Sequence, residues 1–326
     1  MTAMTYSTLA PATPPEHILG VVRHLPTTAG SPPAAPWPSV AVRSAADHDQ
    51  AFHEVWTSSR TAFGGQYKNL SYRHDGETFF CAAEIPDAAR LRNAVRATYQ
   101  AVVELTRRLG YRLLRVWNHV GNINAGNADG LERYRDFCQG RAEALEDLTG
   151  EWRVHLPAAS CVGALAGGAV LYCLATRSRQ PLHFENPHQV PAYHYPPQYG
   201  PRSPSFARAT LLPGDTGPAG GQLFVSGTAS VVGHATTHPD DVAEQCDTTE
   251  ENLEHLLKHV GQQTGTSPGL PDFRFAKIYV RHAPDIPYVA GKFRRAFGEN
   301  TEIRVLNVDL CRSDLLLEIE GVVAMA

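Results

Sequence analysis

Two glutamates stand two residues apart near the C-terminus, in the run SDLLLEIEGVVAMA (residues 313–326). Strand alternation places Leu316, Glu318 and Glu320 on one face and Leu315, Leu317 and Ile319 on the other. A carboxyl among leucines and valines has its pKa raised by desolvation. It then stays protonated near neutrality and can serve as a general acid. An exposed sheet face with both glutamates solvated is the commoner arrangement, and the sequence leaves the two open. Cys311 lies seven residues before Glu318. A lone cysteine is usually a small buried hydrophobe, and no base stands beside this one to make it a thiolate nucleophile. Arg141 falls on the apolar stripe Leu131, Tyr134, Cys138, Leu145, Leu148, where a guanidinium needs an anionic partner. It either captures a ligand carboxylate, or snorkels to solvent or pairs with an internal Glu. Arg202 supplies a second such group. Two arginines suit a dicarboxylate, each charge-assisted bond contributing about 1.5–3 kcal/mol.

Arg202 belongs to ENPHQVPAYHYPPQYGPRSPSF (residues 185–206), which has six prolines and three tyrosines in 22 residues. Proline excludes a long helix and a central strand, while the aromatic content sets the stretch apart from a disordered linker. It reads as a stiff loop that holds side chains in fixed directions, where sites are commonly built. Tyr193, Tyr195, Tyr199 and Arg202 would be its donors toward a carboxylated ligand, unless the tyrosines only pack. Gly227, inside the strand pattern LFVSGTAS, marks a bulge or a close ligand approach.

These residues need elements to hold them. Alternating apolar residues predict strands over 36–43, 67–73, 77–85 and 112–120. Leu91, Val95, Tyr99, Val102 and Leu109 recur at helical spacing after Pro86-Asp87 and stop at Gly110. A second helix spans 131–148, closed by Gly150, and strands follow at 158–165 and 169–176. Beyond the proline-rich segment the order recurs. Strands at 206–212 and 222–232 precede a helix opened by Pro239, with Val242, Cys246, Leu253, Leu257 and Val260 on one face and Gly261 as its stop. A strand at 275–282, a helix at 284–297 and strands at 303–310 and 315–324 complete it. Both halves read β-β-α-β-α-β-β, an α+β class with helices on one face of each sheet. The expected division is a loose Pro/Ala/Thr-rich segment over 1–36, one domain over 37–180, the connecting segment over 181–206 and a second domain over 207–326. A ligand between the halves would touch the connecting segment, and domain junctions are common pocket positions.

The chain of 326 residues, 43% hydrophobic and 19% charged with net charge −4, is an ordinary globular composition. It has no basic block to point to nucleic acid or an anionic membrane, no apolar run of about 20 residues and no signal-peptide order at its start. Six scattered cysteines without C-x-x-C spacing imply a reducing cytoplasm. No H-E-x-x-H motif appears, and His183, His188 and His194 lack ligand partners at helical spacing, so no metal is expected.

The second half, with LFVSGTAS, then DVAEQ…NLEHLL, then KIYV, then LEIEGV, resembles the YjgF/RidA fold. More specifically, GLERYRDFCQGRAEAL, the proline- and tyrosine-rich segment and FVSGTASVVGHATTH resemble the chorismatases, over roughly residues 37–326. The resemblance implies tandem YjgF/RidA-like domains, also akin to trimeric chorismate mutases, with monomer and trimer both open. It implies conversion of chorismate to a benzoate derivative and pyruvate without cofactor or metal, in secondary metabolism such as polyketide starter-unit supply. Glu318 would protonate the enol-ether methylene, and Arg141, Arg202, Tyr193 and Tyr199, beside Tyr134, would hold the substrate. One branch of the family hydrolyses the ether to a dihydroxycyclohexadienoate. The other lets the neighbouring ring hydroxyl attack and aromatises to 3-hydroxybenzoate. Cys311, at the spacing of the second branch, and Gly227, or Ala229 in its place, favour 3-hydroxybenzoate, with the hydrolytic branch and a non-catalytic YjgF-like ligand-binding protein as the alternatives.

Overall fold

A computed structural model of the chain describes residues 2–7, 13–30, 34–46, 51–148 and 156–326. Four long α-helices and three large sheets make up its frame. Helices α1 (Arg92–Leu109) and α2 (Arg133–Leu148) cover one six-stranded sheet. Helices α3 (Val242–Thr264) and α4 (Ile286–Phe297) cover a seven-stranded one.

The two sheets share one topology. The first runs Ala158–Ala164, Arg112–Gly121, Ala169–Thr176, Thr78–Ile85, Leu70–His74, Phe63–Tyr67. The second, read from the strand after α4, runs Glu302–Asn307, Phe273–Val280, Leu317–Ala324, Gly217–Thr228, Ala209–Gly214, Leu182–Phe184, with the short Ala45–Ala46 as a seventh strand on the outer edge of Glu302–Asn307. In each, the two strands that follow the helices pair in parallel, which requires a crossover connection, supplied by α2 and α4. The closing strand then inserts antiparallel between the helix-flanking strands. The repeat of element order expected from the sequence is thus a repeat of strand order.

The N-terminal expectation is corrected. Thr2–Ser7 and Ile18–Leu25 are not a loose drape but strands of a four-stranded sheet completed by Phe52–Ser58 and Ser39–Arg43. Ile18, Leu19, Val21 and Val22 are buried. The reason is geometric: with helices on their outer faces, the two repeat sheets leave apolar inner faces that need a third cover. Met4, Leu19, Val42 and Trp56 meet Phe80, Trp117 and Tyr172 of the first sheet and Phe224, Tyr279 and Val322 of the second in one core. The boundary expected at residue 37 falls inside this third sheet, and the repeat begins at Phe63.

Local boundaries also moved. The strand expected at 67–73 is a hairpin, Phe63–Tyr67 with Leu70–His74. Helix α1 starts at Arg92 instead of Pro86, because Asp136 of α2 accepts the Leu91 amide at 2.5 Å and fixes the entry. Helix α3 begins after Asp241, whose carboxylate caps the Ala243 and Glu244 amides. It runs through Gly261 and ends at Gly265 (φ 72°). Gly261 is small because a Cβ there would sit 2.7 Å from the Thr266 carbonyl oxygen. Gly150 lies outside the described residues.

Candidate active site

The seam between the two repeats is sewn by hydroxyl acceptors. The Ala158 amide donates to Thr210 Oγ1 (2.7 Å), the Ala159 amide to Ser226 Oγ (2.9 Å) and the Gly227 amide to Ser160 Oγ (2.8 Å). Around this seam α2, the proline-rich segment and the loop before the last strand line a cavity that opens to solvent, with about 750 Å³ of empty space including its mouth. Tyr134, Arg141, Tyr195, Tyr199, Arg208, Gly227, Cys311 and Glu318 all line it.

Both C-terminal glutamates are buried, Glu318 at 4% exposure and Glu320 at 1%. Their strand is covered on both faces: Leu317, Ile319 and Val323 pack under α3 and α4, while Glu318 and Glu320 face the interior between the sheets. The environments push the two carboxyls apart. Burial would raise Glu320, but Lys277 (2.8 Å) and Arg115 (2.6 Å) override it and bring its pKa down to about 2. Glu318 has no such ion pair among the described residues. Burial, reinforced by the ionised Glu320, raises its pKa to about 8 against the weaker pull of Arg115 and Arg208. One strand therefore carries a neutral acid and a fixed carboxylate side by side.

Cys311 lies in the loop that leads to this strand, with its Sγ 3.8 Å from Glu318 Oε2. Burial and the adjacent Glu318 push the thiol well above its ordinary value, so it acts as a neutral S–H donor. Gly227 sits at the expected bulge, where pairing with the last strand slips between Val225 and Thr228. A Cβ at Gly227 would lie 1.9 Å from Glu318 Oε1. No side chain fits there while Glu318 keeps this position. Ala229 also lines the cavity.

Arg141 is 2% exposed and lies 5.5 Å over the Phe137 ring, with its Nε unpartnered. Its guanidinium is buried and lines the cavity, so it does not reach out to solvent. It has no salt bridge among the described residues; thiol and phenol groups of Cys138, Tyr99 and Tyr134 surround it. Tyr134 and Tyr199 are also in the cavity wall.

Two expected ligands are elsewhere. Arg202 is outside the cavity, about half exposed, and pairs with Glu146 at 3.2 Å. Tyr193 packs against Val103, Leu145 and Leu156. The cause is local. Turns of 3₁₀ helix at Ala192–His194 and Pro197–Tyr199 direct Tyr195 and Tyr199 inward and leave Tyr193 on the opposite side. In place of Arg202 the structure offers Arg208, 4% exposed, held by the Tyr195 hydroxyl (2.8 Å) and the Val190 carbonyl, with its Nε unpartnered. The signal was present: Arg208 interrupts the apolar run FARATLL, as Arg141 interrupts its helix stripe. Arg312 was also missed. It lies 4.2 Å over the Tyr199 ring and donates to the His234 carbonyl, while the Tyr199 hydroxyl meets His234 Nδ1 at 3.1 Å.

The chain has H-x-x-x-H spacings at His234/His238 and His255/His259. Among the described residues, however, no group of three or more His, Cys, Asp or Glu side chains is placed to hold a metal ion.

Residues 54–175 match the family model "Chorismatase FkbO/Hyg5-like, N-terminal". The chain is 44% identical over 312 residues to a 3-hydroxybenzoate synthase of Streptomyces hygroscopicus, covering 94% of this chain and 92% of that protein. The chain belongs to the chorismatase family. A chorismatase of Streptomyces rapamycinicus is 40% identical over 95% of this chain and 93% of its own. A chorismatase crystal structure superposes with a TM-score of 0.91 at 36% identity, covering 99% of this chain and 98% of that one. The fold is accordingly the chorismatase α+β fold, built here from two repeats of one strand order. A member of the YjgF protein family from Neisseria meningitidis matches 45% of this chain and 97% of its own, at 17% identity and a TM-score of 0.31.

Proposed function

We propose that this enzyme converts chorismate to 3-hydroxybenzoate and pyruvate, with Glu318 as the proton donor. The observation that carries the proposal is a carboxyl that is buried, unpaired by any cation among the described residues and raised to about pKa 8, in the wall of a cavity furnished with guanidinium groups. Chorismate presents two carboxylates and an enol ether. Arg141 and Arg208, both buried with a free Nε, are the charge-assisted donors suited to its carboxylates. Tyr134, Tyr195 and Tyr199 line the remaining wall.

The chemistry follows from the protonation state. The Glu318 O–H transfers its proton to the terminal methylene, which becomes the methyl group of the nascent pyruvate, and the ether carbon becomes an oxocarbenium centre. The C4 hydroxyl of the ring attacks C3, the C3–O bond breaks and pyruvate leaves with the electron pair. The hydroxyl proton returns to the Glu318 carboxylate, leaving an arene-oxide intermediate that opens and loses a ring proton to give 3-hydroxybenzoate. Every atom of chorismate is thereby divided between the aromatic acid and pyruvate, and no water is consumed. Cys311, a neutral thiol beside Glu318, favours this course because it occupies the space next to the reacting acid and supplies no base for water.

The rival reading is hydrolysis to a dihydroxycyclohexadienoate. Incubation with chorismate, with chromatographic identification of the ring product, separates the two. An equimolar yield of 3-hydroxybenzoate and pyruvate supports the proposal; a non-aromatic diene diol rejects it.

A further inference from the structure

Behind Glu318 the inner faces of the three sheets enclose four ionic side chains: Glu54 of the N-terminal sheet, Arg115 of the first repeat, and Lys277 and Glu320 of the second. Lys277 Nζ lies 3.0 Å from Glu54 Oε2 and 2.8 Å from Glu320 Oε1, and Arg115 Nη2 lies 2.6 Å from Glu320 Oε2. Trp117 Nε1 (2.9 Å) and the Tyr279 hydroxyl (3.0 Å) donate to Glu320, and Trp56 Nε1 (3.0 Å) donates to Glu54. Burial lowers the pKa of the flanking His24 and His119, so both are neutral. Two cations and two carboxylates sum to zero. Arg115, Lys277, Glu54 and Glu320 do not line the reaction cavity. Apolar side chains of similar volume often stabilise such a site as well or better, so the cluster is weak evidence for a purely stabilising role.

Its geometry leads to the cavity wall. Arg115 Nη2 donates to Ser160 Oγ at 2.5 Å, and Ser160 Oγ accepts the Gly227 amide at 2.8 Å. Gly227 is the residue whose Cα faces Glu318 Oε1. Glu320 itself is two residues from Glu318 on the same face of the same strand. The charged and titratable groups around Glu318 come from every packed element: Glu320 on its own strand, Arg115 and Cys161 from the first repeat, Cys311 from the preceding loop and Arg208 from the start of the second repeat. Arg141 and Tyr134 of α2 line the same cavity. Glu132, Arg135 and Arg312 line it too. Among the described groups that act on the Glu318 carboxyl, Glu320 is the anion.

We propose that Glu320, fixed as a carboxylate by Lys277 and Arg115, is a positioning residue that keeps Glu318 in its acid form, while Arg115 and Ser160 hold the Gly227 wall against it. The inference rests on Glu318 being the proton donor, and the sign of the effect is specific. Glu320→Gln removes the opposing anion and leaves Lys277 and Arg115 under-compensated, so Glu318 ionises at lower pH. Lys277→Met leaves the cluster net negative, so Glu318 ionises at higher pH. Glu54→Gln acts as Glu320→Gln does, less strongly, because its charge is farther away.

The test is an infrared titration of the protonated-carboxyl C=O band, assigned to Glu318 by its absence in Glu318→Gln, run beside the pH profile of pyruvate release from chorismate. The expected result is a midpoint and an alkaline limb lowered by about one pH unit or more in Glu320→Gln, with an opposite shift in Lys277→Met. Should Glu320→Gln fail to fold, Glu54→Gln gives the same direction. Midpoints that coincide with wild type, or that move in one direction for both charge types, overturn the inference. If wild type releases no pyruvate, the proton-donor reading falls, and the infrared midpoints still decide whether Glu320 sets the state of Glu318.

Discussion

Glu318 keeps its proton because of what it lacks. Glu320, on the same strand, has two cations and two neutral donors; Glu318 has a thiol. The pH dependence has a definite sign. A donor must hold its proton, so pyruvate release stays level below about pH 8 and falls as the pH rises through it. Glu318→Gln removes the proton without changing the volume and should cost about 10²–10⁴-fold in kcat; a variant within twofold of wild type would reject the role. The guanidinium correction has its own test. Arg208→Ala and Arg141→Ala should each lower kcat/KM by roughly 10–100-fold, the loss of a charge-assisted hydrogen bond. Arg202→Ala breaks only a surface pair with Glu146 and should change kcat/KM by less than about twofold. Gly227→Ala would drive a methyl group into Glu318 Oε1. It should therefore reduce turnover strongly with little change in KM, measured on the same substrate. Cys311→Ala, by contrast, should shift the ratio of 3-hydroxybenzoate to diene diol.

At the scale of elements, the legible features were those with a local cause. The strand and helix order, the interruption of α2 by Arg141 and the bulge at Gly227 follow from period, charge and residue size along a few neighbours. The composition of the proline-rich segment reads as a stiff loop, and its Tyr195, Tyr199, Pro204 and Phe206 line the cavity. Which of its side chains point inward did not follow, because two short 3₁₀ turns set those directions and their orientation depends on packing against α2. Tyr193 and Arg202 were misplaced for that reason. The long-range partnership of Glu320 with Arg115, 205 positions away along the chain, leaves no trace in local sequence. Neither does the contact between Cys311 and Glu318 beyond their spacing of seven residues. Arg312 belongs to this scale too: stacked on Tyr199 and tied to the His234 carbonyl, it links the last loop to the proline-rich wall. Its guanidinium was not separable from a solvated arginine by sequence.

Across the whole molecule, the N-terminal sheet closes a core that the two repeats leave open. Its first two strands lie in a weakly patterned Pro-, Ala- and Thr-rich stretch, and only the inner faces of the other sheets reveal the need for them. Deletion of residues 1–25 would strip Met4, Leu19 and Val22 from Phe80, Trp117 and Tyr172. The truncated chain should lose cooperative thermal unfolding and bind a hydrophobic dye, whereas a dispensable N-terminal arm would leave the melting curve intact. The buried carboxyls bound stability on both sides of pH. Glu54 and Glu320, depressed to about 2, contribute stability that is present above pH 4.5 and lost as the pH falls through their folded values. Glu318, raised to about 8, contributes stability that is present below pH 4.5 and lost as the pH rises through 8. Thermal midpoints across pH should therefore be highest between these limits, with the alkaline decline reduced in Glu318→Gln.

The central claim joins one acid to one product. Purified wild type and Glu318→Gln, incubated side by side with chorismate at pH 7, test it most directly when pyruvate and ring products are quantified together. The account predicts equimolar pyruvate and 3-hydroxybenzoate from wild type and at least about a 100-fold slower release from the variant. Pyruvate accompanied by a non-aromatic diene diol, or an undiminished Glu318→Gln, would contradict it.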